Sequence, residues 1–95
     1  MNYSSTLHQL LSAPSHWASI PHITASWQAN DALVLLGEAA QGYSDARLQA
    51  FDRIYILQAD ASLLGLNAPT PHCHWLTYDE WAQMILNYNK HISWK

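Results

Sequence analysis

Residues 31–40 read Asp31-Ala32-Leu33-Val34-Leu35-Leu36-Gly37-Glu38-Ala39-Ala40, and this stretch decides the fold. Four consecutive large aliphatics run straight into Gly37-Glu38 with no polar residue among them. A strand with one wet face alternates apolar and polar residues. An unbroken run this short, closed by a glycine, fits a strand buried on both faces, as in a parallel sheet. A second run of the same kind, Ile54-Tyr55-Ile56-Leu57, ends at Gln58-Ala59-Asp60. Two buried strands with room for a crossover between them predict an α/β layered domain. Open parallel sheets place ligands at the carboxyl ends of their strands, so Gly37 and Glu38 are the first place to look for function.

Working outward, residues 5–11 form a first strand, stopped by Ser12-Ala13-Pro14. Ser15-His16-Trp17 opens a turn or short helix. Pro21 suits the start of a helix, where its missing N–H costs nothing. Ile20, Ile23 and Trp27 give that helix one apolar stripe, and Asn30-Asp31 end it. Residues 38–41 make a helical turn broken by Gly42. Ser44 or Asp45 caps a second short helix through Arg47, Leu48 and Phe51. Asp60 is the expected N-cap of a brief helix over residues 61–64, closed by Gly65. Residues 67–71 form a proline-punctuated loop, and residues 74–76 a short last strand. Thr77 and Glu80 fit a capping box, with Leu76 and Trp81 as the hydrophobic staple across it. Trp81, Met84, Ile85 and Tyr88 then line one helix face. Trp94, one residue from the end of the sequence, is expected to dock on this domain or on a neighbour.

The 95 residues make one domain, residues 1–95, with 49% hydrophobic residues to fill a core. A chain this short supplies few helices, so some apolar surface is expected to stay exposed unless another chain covers it. Five tryptophans and five tyrosines support a subunit, because these residues are enriched at interfaces. Self-association of the isolated chain is the accompanying expectation. Four Lys and Arg stand against seven Asp and Glu. The four cations are scattered, and without a basic patch direct nucleic-acid binding is not expected. A single cysteine, Cys73, excludes an internal disulfide. The first eleven residues lack a signal-peptide pattern, and no stretch approaches the roughly 20 apolar residues that span a bilayer. The expected location is the cytoplasm, without a membrane partner.

His72-Cys73-His74 is the one suggestive cluster. Zinc needs ligands converging from separated positions, and adjacent strand residues alternate faces, so no metal is expected there. Cys73 as a persulfide-carrying thiol is the enzyme-class alternative. It would need access and a lowered pKa, whereas its place at a strand entrance suits a small buried hydrophobe. Glu38 stands without a Ser, His or second acid at a telling spacing and reads as a solvated or capping carboxylate. No glycine-rich phosphate loop is present. His8, His16, His22 and His91 share no face and read as surface or partly buried residues. No catalytic set and no cofactor follow from these residues.

Leu7-His8-Gln9-Leu10 with Ser12-Ala13-Pro14, the stretch from Asp31 to Glu38, Ile54-Tyr55-Ile56-Leu57 with Asp60 and Gly65-Leu66, and Leu76-Thr77-Tyr78-Asp79 leading to Trp94 together resemble the DsrH/TusB family, over nearly the whole chain. The resemblance implies a DsrE/DsrF/DsrH-like fold, a small three-layer α/β/α sandwich with a mainly parallel sheet. It also implies a heterohexamer, a dimer of heterotrimers with TusC-like and TusD-like subunits. That complex takes persulfide sulfur from a TusA-like carrier and passes it to a TusE-like one, for 2-thiolation of the tRNA wobble uridine. In the family the sulfur rides on a cysteine of the TusD-like subunit. Dsr relatives serve sulfur oxidation, and some DsrH chains carry a cysteine in the helix before the second strand; residues 16–29 here contain none. The implied role is a non-catalytic scaffold subunit, with Gly37, Glu38, Tyr43 and Trp94 as candidate partner contacts.

Overall fold

Five strands form one sheet, and every neighbouring pair runs parallel. In chain order they are β1 (Thr6–Leu10), β2 (Ala32–Leu35), β3 (Ile54–Leu57), β4 (Cys73–Leu76) and β5 (Lys90–Trp94). Their spatial order is β4-β3-β2-β1-β5, which puts β2 at the centre. The structure, a computed structural model, describes residues 5–70 and 72–95. Pro71 of the expected loop lies outside the described residues.

The central run is buried on both faces. Leu33 and Leu35 pack with Leu10, Ile54, Ile56, Trp17, Ile23 and Phe51 on one side of the sheet. Ala32 and Val34 pack with Leu7, Leu57, Leu76 and Trp81 on the other. All four β2 residues are fully buried, which is why no polar residue interrupts them.

Handedness distributes the covering elements. The connections β1-β2, β2-β3 and β3-β4 step the same way across the sheet, so right-handed crossovers place them on one face. They contain α1 (Ile20–Ser26), 3-10 stretches over Pro14–His16, Gly37–Gly42 and Ala46–Ala50, and α2 (Gln58–Leu63). The last connection returns past the other strands to β5. The same rule sends its helix, α3 (Tyr78–Asn87), to the opposite face, where Trp81, Met84, Ile85 and Tyr88 pack as one stripe. The capping box that starts α3 is formed: Thr77 Oγ1 accepts from Glu80 N–H at 3.1 Å, and Glu80 Oε1 accepts from Thr77 N–H at 2.9 Å.

Three boundaries differ from the sequence expectation. Helix α1 stops at Ser26 rather than at Asn30-Asp31. Thr24 and Ser26 turn their hydroxyls back onto the carbonyls of Ile20 and His22, at 3.0 and 3.1 Å, a local bonding that competes with helix continuation. Helix α2 begins at Gln58, directly off β3, so Asp60 sits inside its first turn instead of capping it. The C-terminal tail is a fifth strand, β5, paired with β1 from Thr6↔Lys90 to Leu10↔Trp94. It alternates exposed and half-buried residues, as an edge strand does, and its pairing spans almost the full chain length.

All five tryptophans pack against the two faces of this chain's own core, Trp17 buried and the other four partly buried. Among the described residues the exposed large hydrophobics are Leu11, Leu63, Leu64, Tyr78 and Leu86. Among the described residues no helix is long and apolar enough to cross a membrane.

Candidate functional site

The carboxyl edge of β2 and β3 forms a cleft of about 360 Å³, lined by Gly37, Glu38, Gln41, Asp60, Leu63 and Leu64. Gly37 follows β2 with φ of 58°, a left-handed conformation that lets the chain turn directly into the 3-10 stretch. Its N–H donates to Asp60 Oδ2 at 3.3 Å, joining the two loops across the edge. Asp60 is thus the second acid that sequence spacing did not bring to Glu38. Glu38 and Leu63 are exposed, and Leu63 keeps 86% of its surface in solvent. The lining contains two carboxylates, one amide and two leucines. It can hold a polar or apolar group of a partner, and its lining offers no thiol or hydroxyl.

A second recess, of about 310 Å³, lies where the chain leaves β3 for one face and β4 for the other, the switch point of the sheet. Gln58, Ser62, Thr77 and Tyr78 line it. Thr77 is already committed to Glu80 through the capping box.

Tyr43 is half-buried and packs against the core cluster. With Ser44, Asp45, Gln49, Thr70 and His72 it lines a further cleft of about 410 Å³. Its polar groups are largely engaged within the chain. Thr70 Oγ1 accepts from Cys73 N–H at 3.0 Å, and a His72 ring nitrogen bonds the Leu48 carbonyl at 3.1 Å. Hydrogen bonds from Arg47 hold the Asp45 carboxyl at about 2. Arg47 in turn lies over the Trp17 ring at 5.0 Å and donates to the Pro14 carbonyl at 3.1 Å.

The His72-Cys73-His74 trio diverges. Cys73 is the first residue of β4, 1% exposed, at the amino edge of the sheet and away from the carboxyl-edge clefts. His74 points to the other face, against Tyr55 at 5.5 Å between ring centroids. Among the described residues no group of three His, Cys, Asp or Glu could hold a metal ion.

Burial pushes the Cys73 thiol up from its reference value of 9.0 to about 11. The folded chain therefore keeps this proton after the unfolded chain has released it. The thiol's contribution to stability is full below pH 9 and falls as pH rises through the window up to about 11. Cys73→Ala is expected to remove that alkaline component from a urea-midpoint titration. The native thiol is also expected to resist alkylation by iodoacetamide at pH 8, and rapid alkylation would contradict the burial.

The polar group that sequence reading missed lies on the β1 face beneath β5. His8 was expected at the surface or partly buried; it is fully buried, as is Asp31. His8 Nε2 lies 3.0 Å from Asp31 Oδ2, and Trp94 Nε1 donates to His8 Nδ1 at 3.0 Å. Asp31 also accepts from Thr6 N–H at 2.9 Å and from Gln28 N–H at 3.0 Å. The Trp27 ring stacks on His8 at 5.2 Å between centroids, and the Trp94 ring, inclined by 23° to the imidazole, has its centroid 6.1 Å away. Trp94 accordingly docks on this domain. A His–Asp pair resembles a general-base dyad, but the second imidazole nitrogen is occupied by an indole, and no substrate reaches it. In the sequence His8 sits between Leu7 and Gln9 and Asp31 just before the apolar run of β2, and neither position marks a pair.

No family model and no curated protein matches the chain. Among solved structures it is similar to the ychN protein from E. coli, with a TM-score of 0.72 and 13% identity, covering 97% of this chain and 100% of that one. The fold is a small α/β fold of the DsrE/YchN-like kind, with an all-parallel five-stranded sheet flanked by helices.

Proposed function

We propose that this chain is a non-catalytic scaffold subunit of a TusBCD-like sulfur-relay complex, which passes persulfide sulfur toward 2-thiolation of the tRNA wobble uridine. The observation that carries the reading is Cys73. The chain's one thiol is buried at the amino edge, with its proton held to about pH 11, so it is badly placed to accept or release sulfur. The shared fold supports the reading, and the sequence resemblance to DsrH/TusB chains supplies the pathway. Within it, TusC-like and TusD-like subunits are the direct partners, and TusA-like and TusE-like carriers engage the complex. The carboxyl-edge loop with Gly37 and Glu38, with Tyr43 near its end, is the proposed contact surface. The lack of a cysteine in residues 16–29 favours tRNA thiolation over a DsrEFH-type role in sulfur oxidation.

Co-expression with TusC-like and TusD-like chains tests this. Copurification at fixed stoichiometry is expected. After incubation with a persulfide donor, intact mass should show added sulfur on the TusD-like subunit and none on this chain. A gain of one sulfur atom here, abolished by Cys73→Ser, would make the chain a carrier instead. Absence of any complex would remove the scaffold reading.

A further inference from the structure

We propose that His8, Asp31 and Trp94 form a proton-operated latch on the C-terminal strand. An indole N–H can only donate, so the 3.0 Å contact from Trp94 makes His8 Nδ1 an acceptor. The imidazole proton must then sit on Nε2, facing Asp31 Oδ2 at 3.0 Å. The latched state therefore contains a neutral His8. A second proton has one place to go, Nδ1, where it meets the Trp94 N–H head on. Protonation breaks the indole bond and leaves the imidazolium beside the Asp31 carboxylate, so charge is compensated inside the core while Trp94 is expelled.

The charged and titratable groups around the ring permit this. Asp31 is the one carboxylate bonded to it. Tyr88, just after α3, feels the Asp31 charge and is hydrogen-bonded to Arg53, which precedes β3. On β5, Lys90 is exposed, and His91 points to the other face and bonds the Ile85 carbonyl. Trp27, the residue after α1, stacks on the ring and carries no charge. Release affects one element because β5 is an edge strand, paired with β1 alone. With β5 loosened, the outer edge of β1 becomes the open edge of the sheet.

Amide hydrogen exchange on the full chain tests the latch, compared at about pH 8 and about pH 5. After correction for intrinsic exchange, protection of the β5 amides is expected to fall about tenfold at the lower pH, the size of one hydrogen bond. The amides of β2 and β3 should keep their protection. Trp94→Phe, which retains the ring packing and deletes the N–H, should show weak β5 protection already at the higher pH and little change on acidification. Nitrogen-15 spectra should place the His8 proton on Nε2 at the higher pH. Unchanged β5 protection across the range would overturn the proposal. So would simultaneous loss in all strands, an equal pH response in Trp94→Phe, or a proton on Nδ1.

Discussion

Asp31→Ala is expected to destabilise the fold by about 3 kcal/mol, because it strands the buried Nε2–H of His8 together with two partly buried backbone N–H groups, and a buried donor left unpaired costs roughly 1–3 kcal/mol before relaxation. Thr6 N–H, Gln28 N–H and His8 Nε2–H all end on this one side chain, which is 1% exposed. The three donors come from the start of β1, the loop after α1 and the middle of β1, so the carboxylate fastens the amino edge of the sheet. A domain of this size has about 5–15 kcal/mol to lose, so the variant should sit close to unfolding. Urea denaturation checks it: the midpoint should drop sharply with little change in slope. Asp31→Asn provides the finer test. With its oxygen at the Oδ2 position it still serves Gln28 and His8, but its amide then confronts Thr6 N–H. His8 cannot help by changing tautomer, since Nδ1 must stay an acceptor for Trp94. Asparagine should therefore fall between wild type and alanine, at about 2 kcal/mol of loss. A loss below about 1 kcal/mol for alanine would mean that water replaces the carboxylate and that the network does not hold the edge.

The same residue marks the limit of what the sequence makes legible. The apolar run from Leu33 to Leu36 carries its own evidence, since four adjacent aliphatics cannot be buried unless both faces of the strand are covered. The capping box at Thr77 and Glu80 is equally local, and both were readable. Asp31 and His8 were not, because their burial is justified only by each other and by Trp94, which lies 86 residues from His8 in sequence. β5 was hidden for the same reason. Lys90-His91-Ile92-Ser93-Trp94 has the mixed polarity of any exposed segment, and only the free edge of β1 makes it a strand. At the carboxyl edge, Gly37 and Glu38 were legible as a place because the strand ends there. Asp60 joined them only through the Gly37 N–H, once α2 had begun at Gln58 instead of after Asp60. The five tryptophans each take a place against the core that composition alone does not assign: Trp17 is buried and the other four are partly buried.

Gly42 looked like a helix breaker in the sequence, yet its structural reason is contact. A Cβ at this position would lie 2.8 Å from Pro14 Cγ and 2.9 Å from Trp17 Cζ2. Trp17 cannot yield easily: it is 4% exposed, its Nε1 donates to the Ser12 carbonyl at 2.7 Å, and Arg47 lies over its ring at 5.0 Å. Gly42→Ala is therefore expected to cost about 3 kcal/mol by overpacking. Gly37→Ala is the contrasting case: open space surrounds its Cβ position, and only the positive φ opposes a side chain, at about 1–2 kcal/mol. The ranking alone does not prove a clash, but a double-mutant cycle does. In a Trp17→Leu background the alanine at position 42 should cost much less, giving a coupling of about 2 kcal/mol between the two sites. Equal losses in both backgrounds would assign the effect to backbone preference and reject the contact. The clash also reaches the proposed partner surface. Gly37–Gly42 is one continuous 3-10 stretch, with Glu38 at one end and the Trp17 contact at the other. An Ala at position 42 that pushes its end off Trp17 must shift Glu38 as well. Copurification with TusC-like and TusD-like chains should therefore weaken in Gly42→Ala under conditions where circular dichroism still reports a folded chain.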